Sequence, residues 1–239
     1  MKFAIAKEHR DFFQKNNWIE FENFLTSAQV AQLNQAINQV LVKRLNIDLE
    51  HLRLASPDSC YLQGRDLWRA NPKIQELTCY PRFAEIASEL VEKKPLRLGY
   101  DQLFPSRSED LKIPLKSSEV YKQFLQQTTS LESVSCIQGL KCGLMISLGK
   151  PTDQEIQKSE KIDIFPTKAG NAIFFQPQLL VDWHTLYQHP DQRYYLITYA
   201  QALSFYQLQP QDPHTHALKH LGYIFNDKLS DKLNPILFR

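Results

Sequence analysis

The most regular apolar pattern lies at residues 26–42. Thr26 and Gln29 form the T-x-x-Q pattern of a capping box, and Val30, Leu33, Ile37, Val40 and Leu41 then recur at helical spacing. The spacing predicts a helix with one buried stripe. A second helix is predicted over 81–93, opened by Pro81, with Phe83, Ile86, Ala87, Leu90 and Val91 inward and Glu85, Glu89 and Glu92 outward. After Pro95 the period changes to two: Leu96, Leu98 and Tyr100 alternate with Arg97, Gly99 and Asp101, which reads as a half-buried strand. Residues 105–118, with Pro105, Ser106, Ser108 and Pro114, read as a loop. Short strand-like runs follow at 133–138, 141–148, 161–165, 171–176 and 193–206. From Gln207 the chain is rich in Pro, Gln and His, and it ends in the apolar run Ile236-Leu237-Phe238.

Helices first and short strands later indicate an α+β class, and strands of this kind close into barrels or jelly rolls that leave few exposed edges. A chain of 239 residues fits one domain. We divide it into a mainly helical support region at 1–94, a β core at 95–206 and a C-terminal extension at 207–239. Tyr194, Tyr195, Tyr199, Phe205 and Tyr206 read as packing residues of the last long strand.

Composition narrows the function classes. Apolar residues make up 43% and charged residues 23%, an ordinary globular balance. A net charge of +2 does not point to nucleic acid as the main partner, which usually demands a strongly basic face. No run approaches the roughly 18 apolar residues of a membrane span, and the first residues lack a signal-peptide core, so a cytoplasmic protein is expected. There are only 7 glycines, with no G-x-G and no G-K-[ST], which excludes a standard P-loop and a standard dinucleotide fingerprint. Cys60, Cys79, Cys136 and Cys142 form no C-x-x-C and read as buried thiols.

Three segments carry a family resemblance. Phe12-Phe13 through Asn17-Trp18-Ile19-Glu20-Phe21 to Phe24-Leu25-Thr26 forms an opening helix, a short strand and a "f-L-s" turn, with Asn17 where a glycine is common. Tyr80-Pro81-Arg82-Phe83 to Leu90 runs into Arg97–Phe104, a helix followed by a first core strand. Gly170-Asn171-Ala172-Ile173-Phe174-Phe175 precedes His184 and Arg193. In this order, across residues 12 to about 205, they resemble the phytanoyl-CoA dioxygenase-like proteins, a branch of the Fe(II)/2-oxoglutarate oxygenases. The resemblance implies a double-stranded β-helix, a jelly-roll or cupin-like barrel, with N-terminal helices packed on one side. It also implies Fe(II) and 2-oxoglutarate as cofactors, His184 as the distal iron ligand, Asp101 as a pocket carboxylate and Arg193 as the residue that holds 2-oxoglutarate inside the barrel.

The metal half of that resemblance is incomplete. Such enzymes hold iron with two His and one carboxylate, the first pair arriving as H-x-D on an early core strand or the loop after it. Here the histidines are His9, His51, His184, His189, His214, His216 and His220, so none stands in the window from 52 to 183. His189-Pro190-Asp191 matches H-x-D only in letters, falls between His184 and Arg193, and reads as a turn. His216 and His220 stand four apart with no acid between them, which reads as a surface helix with incidental histidines. The expectation is therefore a β-helix protein with a degenerate metal site that binds a small molecule or a protein, with neither a nucleic-acid nor a membrane partner. The alternative is an active oxygenase that joins His184 to a carboxylate such as Asp101 or Glu109.

Overall fold

The computed structural model describes residues 4–105, 128–149, 165–183 and 192–239. Most of the expected loop at 105–118 and of the expected strand at 161–165 lies outside these residues, as do Glu109, His184 and the His189-Pro190-Asp191 turn. Six α-helices appear among the described residues: α1 (Lys7–Asn16), α2 (Ser27–Leu45), α3 (Leu49–Leu52), α4 (Pro57–Gln63), α5 (Pro72–Thr78) and α6 (Pro81–Val91). The strands are β1 (Trp18–Phe21), β2 (Leu96–Phe104), β3 (Thr128–Ser130), β4 (Ile137–Ser147), β5 (Ala172–Phe175), β6 (Leu180–Asp182), β7 (Tyr194–Tyr206) and β8 (Ile236–Phe238).

Helices α2 and α6 form where the apolar stripes predict them. At α2 the Thr26 hydroxyl accepts from the Gln29 amide, while the Gln29 side chain accepts from the Thr26 amide. Two of the amides that an isolated helix start leaves unpaired are thereby used. Val30, Leu33, Ile37, Val40 and Leu41 are all buried, with Ala36 among them. Asn17 ends α1 with φ 65, the left-handed region that favours Gly or Asn. That gives a physical reason for an asparagine where relatives of the resembled family often carry glycine.

Six strands form one antiparallel sheet in the order β1-β5-β4-β7-β2-β8, and β3 pairs with β6 in a second sheet. One face of the large sheet takes Ile146, Phe174, Ile197 and Tyr199 against the stripes of α2 and α6 and Phe13 of α1. The other face takes Met145, Ile173, Phe175 and Leu196. It packs against Val181 of β6, Trp183, Leu131, Val134 and the C-terminal residues Leu218, Tyr223 and Leu229. The fold is thus a curled antiparallel sheet, covered by helices on one side and by the small sheet and the C-terminal segment on the other.

Two sequence expectations need correction. Strand β2 is not half-exposed: all nine residues are buried, Arg97 and Asp101 included. Its period of two is also broken. The pairing of β2 with β7 shifts between Leu98 and Asp101, so Leu96 and Leu98 face the helices while Tyr100 faces the small sheet. Gly99 stands at the shift, where a Cβ would meet the Thr198 hydroxyl oxygen at 2.5 Å. Thr198 uses that hydroxyl to accept from the Tyr100 amide and to donate to the Tyr100 carbonyl. The C-terminal histidine stretch is the second correction. It forms a 3-10 turn at Ala217–Leu221 and not an α-helix, and His214 ahead of it is buried.

The C-terminal segment is anchored on the same shift. Fully buried Asn234 donates to the carbonyls of Leu98 and Gly99 and accepts from the Tyr223 hydroxyl. Arg97 donates to the Leu229 and Asn234 carbonyls and to the exposed carboxylate of Asp231. Asn234→Ala should cost about 3 kcal/mol, because it strips buried partners that contribute about 1 kcal/mol each and leaves groups unpaired. Asp231→Asn should cost less, because its end of the pair is exposed, the amide oxygen can still accept, and Arg97 keeps its two carbonyl partners. Urea unfolding of both variants checks this, and equal losses would contradict it.

Candidate functional site

The space between the two sheets is where the resemblance expects cofactors. One end of it is filled by aromatic rings. Phe104 stacks on Trp183 with centroids 5.7 Å apart, and Phe165 lies 6.0 Å from Trp183 and 5.5 Å from Tyr194. The Trp183 indole donates to the Thr129 carbonyl, tying the end of β6 to β3.

Beside this stack lies a buried polar network. Arg65 reaches in from a short stretch that bridges to Gln102 of β2. Its guanidinium lies 3.2 Å from the centroid of the Tyr100 ring, and Nη2 is 3.5 Å from Asp212 Oδ2. The Asp212 carboxylate also accepts from the amides of Cys136 and His214. Burial opposes the Arg65 charge, but the Asp212 carboxylate outweighs it and holds the group cationic. Burial raises the Cys136 thiol, and Asp212 raises it further, so the sulfur stays protonated.

His214 completes the network. Its Nε2 lies 3.1 Å from the Leu62 carbonyl, which can only accept, so Nε2 carries the proton and Nδ1 offers a lone pair. Nδ1 is buried and unbonded, 3.9 Å from Asp212 Oδ1. Burial and the neighbouring Arg65 push the imidazole down to about 4. This network was invisible to sequence reasoning, because Arg65, Cys136 and Asp212 belong to three distant segments. The only local signal was a histidine cluster, which read as surface.

The sequence-predicted site residues are placed as follows. Asp101 sits in β2 on the helix-facing side, opposite Tyr100. Its two oxygens accept from the Leu67 and Trp68 amides, at the start of the 3-10 turn Leu67–Arg69. Thr78 donates to the Tyr195 hydroxyl, which bonds Asp101 in turn. Burial, with Asp66 nearby, pushes the Asp101 carboxyl up to about 7 against those bonds. Arg193, just ahead of β7, also faces the helices, where it donates to the side-chain oxygens of Asn34 and Asn38 on α2. Burial lowers it to about 10. The structure therefore does not bring Asp101 and Arg193 into the inter-sheet space. His184 follows Trp183 and lies outside the described residues.

No family model matches the chain, and no curated protein matches it. Solved structures do. The non-haem α-ketoglutarate-dependent carbocyclase SnoK from nogalamycin biosynthesis aligns with TM-score 0.65 and 13% identity, over 97% of this chain and 96% of that one. The non-haem α-ketoglutarate-dependent epimerase SnoN from the same biosynthesis aligns with TM-score 0.63 and 14% identity, over 96% and 97%. EctD from S. alaskensis, solved with 2-oxoglutarate and 5-hydroxyectoine, aligns with TM-score 0.52 and 13% identity, over 83% and 77%. This chain shares the fold of non-haem 2-oxoglutarate-dependent enzymes, and identities this low carry no chemistry with them.

Among the described residues no three His, Cys, Asp or Glu gather as a metal group. Both Asp101 oxygens accept from backbone amides, and burial, with Arg65 next, lowers the His214 imidazole.

The two shifted groups act oppositely on stability. His214, lowered from 6.5 to about 4, favours the folded state above pH 6.5, and that contribution is lost as pH falls toward 4. Asp101, raised from 3.8 to about 7, favours it at low pH, and that contribution is lost as pH rises toward 7. Between pH 4 and 6.5 the two slopes cancel. Asp101→Asn should leave a stability that rises with pH by about 3 kcal/mol across that window, since each tenfold change in proton affinity corresponds to about 1.4 kcal/mol. His214→Gln should reverse the slope. Denaturant titrations at several pH values test this, and parallel profiles for wild type and both variants would refute it.

Proposed function

We propose that this protein is a double-stranded β-helix of the phytanoyl-CoA dioxygenase-like type with a degenerate metal site, and that it acts as a binding protein and not as an oxygenase. One observation carries the reading. The space between the sheets is occupied by protein side chains, with Arg65, Tyr100, Asp212 and His214 on one side and the packed rings of Phe104, Phe165, Trp183 and Tyr194 on the other. The strand order supports the barrel: β5-β4-β7-β2 runs through the large sheet, and β3-β6 forms a separate pair. The sequence supports the degenerate site, since no histidine stands from 52 to 183, the window in which H-x-D is expected. The segment after β3, 131–136, offers one carboxylate, Glu132, and no imidazole. Loss of a supporting partner alone lowers metal affinity by about 10–100-fold, and loss of a ligand nitrogen lowers it further.

Anaerobic calorimetry of metal-stripped protein with Fe(II), with and without 2-oxoglutarate, tests the reading. The expected result is no binding at micromolar iron and no gain from 2-oxoglutarate. Micromolar binding that tightens with 2-oxoglutarate and disappears in His184→Ala would overturn it in favour of the oxygenase.

A further inference from the structure

The 3-10 turn Leu67–Arg69, on the helix-facing side, concentrates buried polar atoms without partners. Asp66 Oδ1, Trp68 Nε1, and Nε and Nη2 of Arg69 are all buried and unbonded. Buried polar groups in folded proteins almost always have partners, so four such atoms on three residues of one turn need an explanation. The three side chains are held against each other. The Arg69 guanidinium lies 4.3 Å from the centroid of the Trp68 ring, and its Nε is 3.8 Å from Asp66 Oδ2.

The turn itself is rigid. Asp101 holds the Leu67 and Trp68 amides from below. Arg44 of α2 donates to the carbonyls of Gln63, Arg65 and Asp66 from behind. Trp68 is buried, while Asp66, Arg69 and Cys79 are half-buried, so these side chains keep some access to solvent. Cys79 is no nucleophile here. Burial, joined by Asp101, raises its thiol to about 11 against the pull of Arg69.

The inventory of free atoms defines the chemistry. Three N–H donors, two of them from a guanidinium, call for an oxyanion. The carboxylate oxygen of Asp66 can only accept, so the anion must bring a proton of its own. An anion without one would set a lone pair against Asp66. We propose that this turn binds a small oxyanion that keeps a proton at neutral pH, of the hydrogenphosphate or hydrogencarbonate kind. The site lies on the opposite side of the large sheet from the inter-sheet network, and the proposal does not rest on how that network is read.

Calorimetry of the full chain at neutral pH, with sodium phosphate, sodium hydrogencarbonate and sodium sulfate in turn, tests it. At least one proton-bearing anion should bind about 10-fold or more tightly than sulfate, the factor that one charge-assisted hydrogen bond commands. Asp66→Asn can donate to sulfate and should remove the preference. Arg69→Gln should lose binding of all three anions with an unchanged melting temperature. Equal binding of sulfate by the wild-type protein would overturn the proposal. So would the absence of any heat at millimolar anion, which would mean that water satisfies the turn. Both of those results come from the unaltered chain and do not depend on a variant folding.

Discussion

The register shift in β2 is the constraint on which the rest of the molecule depends. A strand that kept its alternation through Gly99 would send Tyr100 and Asp101 to the faces opposite those they occupy. With the shift, Tyr100 enters the inter-sheet space and receives Arg65 on its ring, while Asp101 enters the helical layer and captures two amides. Thr198 fastens the shift from β7 and Asn234 fastens it from the C-terminal segment. One local irregularity thus positions two charged clusters on opposite sides of a single sheet.

The two clusters show different ways of keeping charge inside a protein. Between the sheets, Arg65 and Asp212 satisfy one another, and the carboxylate is further held by two amides, so burial is matched by partners. In the helical layer, Asp101 has amides, but burial, with Asp66 nearby, pushes its carboxyl up. The first arrangement locks segments that are far apart in sequence. The second shapes a turn whose neighbours remain partly unpaired.

Much of the framework was legible from periodicity alone. The stripe of α2 and its capping pair follow directly from residue types at fixed spacing, and so does the inward face of α6. Strand β7 was legible from its aromatic and β-branched run. The burial of β2 was not, because Arg97 and Asp101 read as outward positions while the structure covers both faces. The direction of Arg193 was not legible either. It stands one residue before Tyr194, which faces the small sheet, and that single step turns it toward Asn34 and Asn38 of a helix about 155 residues earlier. Side-chain parity along a strand is decided by where pairing starts, and no local pattern encodes that. The Arg65 network fails to show in sequence for the same reason: its members meet only after β2, β4 and the C-terminal segment are in place.

The pairing of β1 with β5 has a consequence for how the chain reaches this state. Trp18–Phe21 lies opposite Ala172–Phe175, so a strand near the beginning of the chain waits for one made some 150 residues later. The apolar stripes of α2 and α6 wait as well, since the sheet face that covers them comes from β2, β4, β5 and β7. Such long-range closure slows folding, because loop entropy is lost before contacts repay it. During synthesis the segment that carries these stripes emerges first and waits many seconds for the sheet, at the roughly 5–20 residues per second of translation. The faces that the helices bury are therefore covered only once the last long strand, β7, has been made.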